Sequence, residues 1–154
     1  MLYIQKLKKI IDTHNLWEKE ITLERNEFLK VGGSVDTNLY YIIAGSLRIF
    51  SISEYEEHTI RFGYKNNFIA ALDSFITEKP SKFYIQAIKK STLKIVPKKP
   101  YEALLKSSPE NLLLWNTILG HLIVEQMERE QDILISSPKE RYKRVLKRSP
   151  QLFQ

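Results

Sequence analysis

The chain has 154 residues, 43% of them hydrophobic and 27% charged, with no cysteine and a net charge of +6. Those figures fit one globular domain with a sizeable core, and they exclude disulfide staples, iron–sulfur clusters, thiolate zinc sites and thiol catalysis. No run approaches the ~18 to 20 apolar residues needed to span a bilayer, and MLYIQKLKKI lacks the apolar centre of a secretory signal, so the expectation is a soluble, cytoplasmic protein with no membrane partner.

In chain order, LYIQKLKKIIDTHNLW spaces Leu2, Ile4, Leu7, Ile10 and Ile11 as one face of an amphipathic helix that ends before Asn15. From Glu18 the texture changes to alternating apolar and polar residues, punctuated by turns at Asn26 and at Gly32–Gly33. LYYIIAGSLRIFSI is rich in aromatic and β-branched residues around Gly45 and reads as two strands bent at a turn or bulge. EHTIRF, FYIQAI and STLKIV complete seven or eight short strands. Their spacing of roughly ten residues predicts a β-sandwich or jelly roll rather than a parallel sheet with crossover helices.

At Pro97 the pattern returns to helix, with Pro100 as the first residue of a short one. A long helix then starts with Ser108 as cap and Pro109 in its first turn, and runs to Ile135. Leu112, Trp115, Leu119, Leu122, Ile123 and Met127 form its apolar stripe, while Leu113, Leu114, Ile118 and Val124 widen it beyond one packing face. Such a helix is expected to pack on its own barrel and on a second copy of itself, giving a homodimer. SSPKE restarts a helix with Ser137 as cap, Pro138 first and Glu140 closing a capping box. Between Lys139 and Arg148 six basic residues stand against Glu140 alone, so five of the six net positive charges sit in this tail.

No catalytic constellation is visible. His14, His58 and His121 lie far apart, with no pair at metal-ligand spacing, so neither a metal nor any other cofactor is expected. VGGS lacks the lysine of a phosphate loop and reads as a turn. Glu56–Glu57 reads as solvated charge at a hairpin tip.

Taken together, YYIIAGSLRIF, HTIRFGYKNNFIAALDSF, FYIQAIKKSTLKIV, the long helix and SSPKERYKRVLKRSPQLF resemble the effector domain of CRP/FNR-type bacterial transcription regulators over nearly the whole chain. The resemblance implies an α+β fold: a jelly-roll, cyclic-nucleotide-binding-like barrel flanked by an N-terminal helix and a long C-terminal dimerisation helix. It divides the chain into a barrel with its N-terminal helix over residues 1–106, a dimerisation helix over 107–136, and a basic helix over 137–154. That last helix would lead toward a helix-turn-helix, the part that contacts DNA, which would begin where this chain stops, at Gln154.

In the family's nucleotide-binding members the loop after the strand phenylalanine carries Gly-Glu and, before the next strand, Arg-Ser or Arg-Thr. Glycine lets backbone amides approach the phosphate, glutamate accepts from the ribose and arginine pairs with the phosphate. Aligned on Phe68 and on the IQA that ends at Ala87, those positions are here Ala70, Ala71, Ser81 and Lys82. Losing the arginine and glutamate contacts, at ~1.5 to 3 kcal/mol each, weakens binding by roughly 10² to 10⁴-fold. The expectation is a non-enzymatic effector-sensing domain with lost or altered nucleotide specificity, whose pocket involves Ala70, Ala71, Asp73, Ser74, Ser81, Lys82, Tyr84 and, on the long helix, Gln126. The alternatives are a stand-alone ligand- or protein-binding dimerisation module and, further off, a cupin-like small-molecule enzyme.

Overall fold

The computed structural model describes residues 2–135 and 137–153. Ser136 and Gln154, which the expected segment boundaries reach, lie outside the described residues. The chain divides into two compact units, Met1–Leu114 and Trp115–Gln154.

In the first unit, α1 (Leu2–Thr13) buries Leu7 and Ile11, one turn apart, as its stripe requires. Asn15 takes a left-handed φ of 51° just beyond the helix. Asp12 accepts from Lys8 Nζ at 2.7 Å and from Trp17 Nε1 at 2.6 Å. The Trp17 ring in turn stacks 6.4 Å from Phe68. The N-terminal helix is thus tied to the barrel through one carboxylate and one indole.

Eight strands follow: β1 (Lys19–Leu23), β2 (Phe28–Lys30), β3 (Asn38–Ala44), β4 (Ser46–Ser53), β5 (Glu56–Tyr64), β6 (Phe68–Ile69), β7 (Tyr84–Ala87) and β8 (Ser91–Pro97). They form two antiparallel four-stranded sheets, ordered β1-β8-β3-β6 and β2-β7-β4-β5. The expected jelly roll is therefore present. Period-two alternation sends Ile42, Leu47, Ile49, Ile85, Ala87, Leu93 and Ile95 into one core between the sheets. The two-residue β6 has no sequence signal of its own. A six-residue helix, α2 (Leu72–Thr77), lies between β6 and β7.

Two turns carry the sheet corners. Gly45, between β3 and β4, has φ +97°, and a Cβ there would lie 2.6 Å from the Lys90 carbonyl oxygen and closer still to the Ser91 hydroxyl. That hydroxyl accepts from Ser46 N–H at 3.1 Å and donates to the Lys89 carbonyl at 2.8 Å, so it has no room to retreat. Glu54 (φ 53°) and Tyr55 (φ 69°) form the β4–β5 tip with both residues left-handed, as a type I′ hairpin turn requires.

After β8, α3 (Lys98–Lys106) buries Tyr101, Leu104 and Leu105. It begins two residues before Pro100, the expected first position. Proline at the third position is still tolerated because the first turn's N–H groups have no partner inside the helix. α4 spans Pro109–Leu134, ending one residue before the expected Ile135. Ser108 Oγ accepts from Glu110 N–H at 3.2 Å, the capping expected of it.

The second unit contains the later part of α4, then α5 (Pro138–Arg148) and a final 3-10 turn, Pro150–Phe153. Ser137 Oγ caps α5 by accepting from Glu140 N–H at 3.3 Å. No residue of α5 is buried. Charge ties it to α4: Asp132, 8% exposed, accepts from Arg144 Nε at 2.6 Å and from Arg148 Nη2. Burial alone would raise the Asp132 carboxyl, but the two guanidiniums outweigh it and hold the group below the ordinary aspartate value.

Two outcomes follow. Gly45→Ala should cost about 2 kcal/mol or more, from positive φ together with overpacking, read as a lower urea midpoint with unchanged slope. Because the Asp132 carboxyl is depressed in the folded chain, its stabilisation is complete above the ordinary aspartate range and is lost as pH falls through the lower folded value. The Arg144 Nε–H resonance should therefore move to its free position on acidification, and Asp132→Asn should place it there at neutral pH.

Candidate functional site

The segment from Ala70 to Phe83 enters from β6, turns through α2 and passes into β7. The 30–38 segment ties it down. Gly33 N–H donates to the Ser81 carbonyl at 2.7 Å, and Ser81 N–H donates to the Ser34 carbonyl at 3.0 Å. Asp36 N–H donates to Ser74 Oγ at 2.9 Å, and the same hydroxyl donates to the Lys79 carbonyl at 2.7 Å. Ser74 is 1% exposed, so this hydroxyl joins both segments out of reach of bulk water.

Two charged groups organise the surroundings. Asp36 accepts from Tyr40 Oη at 2.6 Å and from Asn38 N–H at 2.9 Å. Burial, and then the neighbouring Asp36 carboxylate, push the Tyr40 phenol well above its ordinary value. Lys30, on β2, is 4% exposed and donates to main-chain oxygens of Val31, Ser81 and Phe83, each at 2.9 Å. Burial pulls its ammonium below the ordinary lysine value, opposed by the Asp36 and Asp73 charges. At the far end of α2, Glu78 closes the helix in the left-handed region, and Lys98 reaches both the Ile76 carbonyl (3.3 Å) and the Glu78 carboxylate (3.2 Å).

Among the candidate residues, Ala70, Ala71, Asp73, Ser74, Ser81 and Lys82 share this one segment. Ala71 is 1% exposed and packs in the barrel core. Asp73 is exposed in the first turn of α2 and accepts from Ser74 N–H. Ser81 is 2% exposed and its hydroxyl accepts from Phe83 N–H at 3.2 Å, whereas Lys82 is exposed. Tyr84 stands on the opposite side of β7 from the core residue Ile85. Its ring stacks on Phe50 with centroids 5.1 Å apart, next to Phe28, and Arg48 lies over Phe50 at 4.0 Å. Gly32 is needed there because a Cβ would meet the Tyr84 ring at 2.5 Å and the Lys82 carbonyl at 2.9 Å. Gln126 belongs to the second unit, where its side-chain oxygen accepts from Arg129 Nη2 at 3.1 Å.

No family model and no curated protein matches the sequence. Solved structures do match in shape. The c-di-GMP responsive global regulator CLP of Xanthomonas campestris superposes with a TM-score of 0.72 and 15% identity, covering 90% of this chain and 70% of that one. The catabolite activator protein of Thermus thermophilus gives 0.67 and 17%, covering 82% of this chain, which spans only 59% of that protein. The sensor domain of the transcriptional regulator DNR from Pseudomonas aeruginosa gives 0.60 and 19%, covering 89% of this chain and 99% of that domain. The chain has the CRP/FNR sensor-domain fold.

Other structures with this fold carry regulator names, and one is described as the EAL enzyme Bd1971. Within the CRP/FNR sensor fold, Lys30 and Asp36 are the charged residues that sequence reading missed. A lysine in an alternating strand reads as solvent-facing, and only the register irregularity between Phe28 and Lys30 departs from that alternation. Asp36 lies in a turn, where a solvated aspartate is the default.

Ser74→Ala removes the hydroxyl that joins Asp36 N–H to the Lys79 carbonyl. It should cost about 1 to 3 kcal/mol by leaving a donor and an acceptor unpaired, with faster amide exchange at Asp36 and little change in the β4–β5 hairpin.

Proposed function

We propose that this chain is the effector-sensing and dimerising domain of a CRP/FNR-type transcription regulator, that it is not an enzyme, and that it has lost ordinary cyclic-nucleotide recognition. Its work is cytoplasmic, and DNA is contacted only by a helix-turn-helix that these 154 residues do not include. The effector pocket, if an effector is used, involves Ala70, Ala71, Asp73, Ser74, Ser81, Lys82 and Tyr84.

One observation carries the reading. At the position where the resemblance calls for a phosphate-binding arginine stands Ser81, buried, with its hydroxyl engaged by the N–H of Phe83. No guanidinium is available there, and the neighbouring cation, Lys82, is exposed. The buried Lys30 ammonium, which donates to the Ser81 carbonyl, already has its three donors on main-chain oxygens, so a phosphate buried beside Ala71 and Ser81 would find no free cationic donor, which is costly. Support for a regulator rather than an enzyme is the fold shared with CLP and the catabolite activator protein. Among the described residues no helix is long and apolar enough to cross a membrane.

The homodimer reading rests on α4. Leu112 is 47%, Ile123 61% and Met127 56% exposed along one stripe with the half-buried Trp115, Leu119 and Leu122. A helix seam this apolar calls for a partner, and a second copy offers a matching one.

Titration calorimetry of cyclic AMP and cyclic GMP should give dissociation constants in the high micromolar range or weaker, and low-micromolar binding would overturn the loss of recognition. Sedimentation should find a dimer at tens of micromolar, and Leu119→Glu with Ile123→Glu should yield a folded monomer. A monomeric unmodified chain would contradict the dimerising role.

A further inference from the structure

Lys30 poses a problem that the regulator reading does not absorb. Its ammonium is removed from water, yet none of its three protons goes to a carboxylate: they go to the main-chain oxygens of Val31, Ser81 and Phe83, all at 2.9 Å. Two of those oxygens lie 51 and 53 residues further along the chain. An ammonium has three donors and no acceptor, so three carbonyls saturate it. The distance is that of a charge-assisted hydrogen bond. Asp36 and Asp73 add favourable charge without touching it. The arrangement is a three-oxygen seat with a cation in it, built from one loop beside β2 and from the entry to β7.

We propose that the main-chain oxygens of Val31, Ser81 and Phe83 form a binding seat for a primary alkylammonium ion, that Lys30 fills the seat from within the same chain, and that the filled seat holds the Ala70–Phe83 segment closed without an effector. Its oxygens present partial negative charge, so the seat accepts N–H donors, and with Lys30 in place it has no vacancy for an external amine. The seat stands on geometry alone; only its meaning for effector sensing rests on the function proposed above.

The test is chemical rescue. Lys30→Ala in the 154-residue chain removes the part of the side chain that n-propylammonium replaces. Amide exchange across residues 72–83 should quicken about ten-fold or more, as expected for losing a charged hydrogen-bond set, while the β4–β5 hairpin stays protected. Added n-propylammonium chloride should restore protection, and tetramethylammonium chloride, which has no N–H, should not. Unchanged exchange in the variant, no rescue, or equal rescue by both salts would each overturn the seat. If Lys30→Ala does not fold, Lys30→Gln, with two donors, should show intermediate exchange, and wild-type exchange in that variant would count against the seat. On the unmodified chain, an amine-reactive label should modify Lys30 far more slowly than the exposed Lys82, and equal rates would overturn it as well. Tight cyclic-nucleotide binding in calorimetry would defeat the functional reading while leaving the rescue intact, so the two failures are distinguishable.

Discussion

The last two strands complete both sheets. β8 lies between β1 and β3, and β7 lies between β2 and β4, so each sheet has at its centre a strand that enters from the far end of the sequence. Among the described residues β1 pairs only with β8, and β2 only with β7. Without residues 84–97 the described strands keep only the β4–β5 and β3–β6 pairings, which lie in different sheets, and the core is open. This explains why so much local chemistry gathers where β7 and β8 meet the first half: Gly45 against the Ser91 hydroxyl, Ser81 against Gly33 and Ser34, and Lys30 across to Phe83. Each is a non-local contact whose loop-closure entropy must be met by burial and hydrogen bonding together.

The Ala70–Phe83 segment inherits its importance from that constraint. It delivers the chain into β7, and its exit is fixed by the same residue, Ser81, that the family resemblance places in the effector cassette. Ser81 stands three residues before Tyr84, the first residue of that central strand. On the outer face of β7, Tyr84 is stacked on Phe50 and backed by a glycine with no room for a Cβ.

Much of the fold was legible because period and punctuation agreed. The α1 stripe, the aromatic and β-branched run through β3 and β4 around Gly45, and the serine caps at Ser108 and Ser137 all follow from local rules that tertiary packing did not override. The CRP/FNR-like motifs placed the effector segment between Phe68 and Ala87, where the structure has a helical turn followed by β7. What sequence could not reveal were pairings across distance. Nothing in FLKVGG indicates that Lys30 turns inward, because that depends on a register shift against β7. Nothing near Asp132 indicates that its partners are Arg144 and Arg148, on the next helix. Gly32 read correctly as a turn residue, but the closeness of the Tyr84 ring is a property of two strands brought together.

Trp17 gives the molecule an optical property of its own. The chain has only two tryptophans, Trp17 and Trp115; the first belongs to the unit that carries the Ala70–Phe83 segment and the second opens the other unit. The Trp17 indole donates to Asp12, faces Phe68 at the start of β6 and has the Lys94 ammonium 5.8 Å from its ring. Its emission therefore responds to local charge and to the position of the strand that leads directly into Ala70. With Trp115 replaced by phenylalanine, intrinsic fluorescence becomes a single-site signal from beside the strand that leads into Ala70, and no external dye has to be attached to follow it.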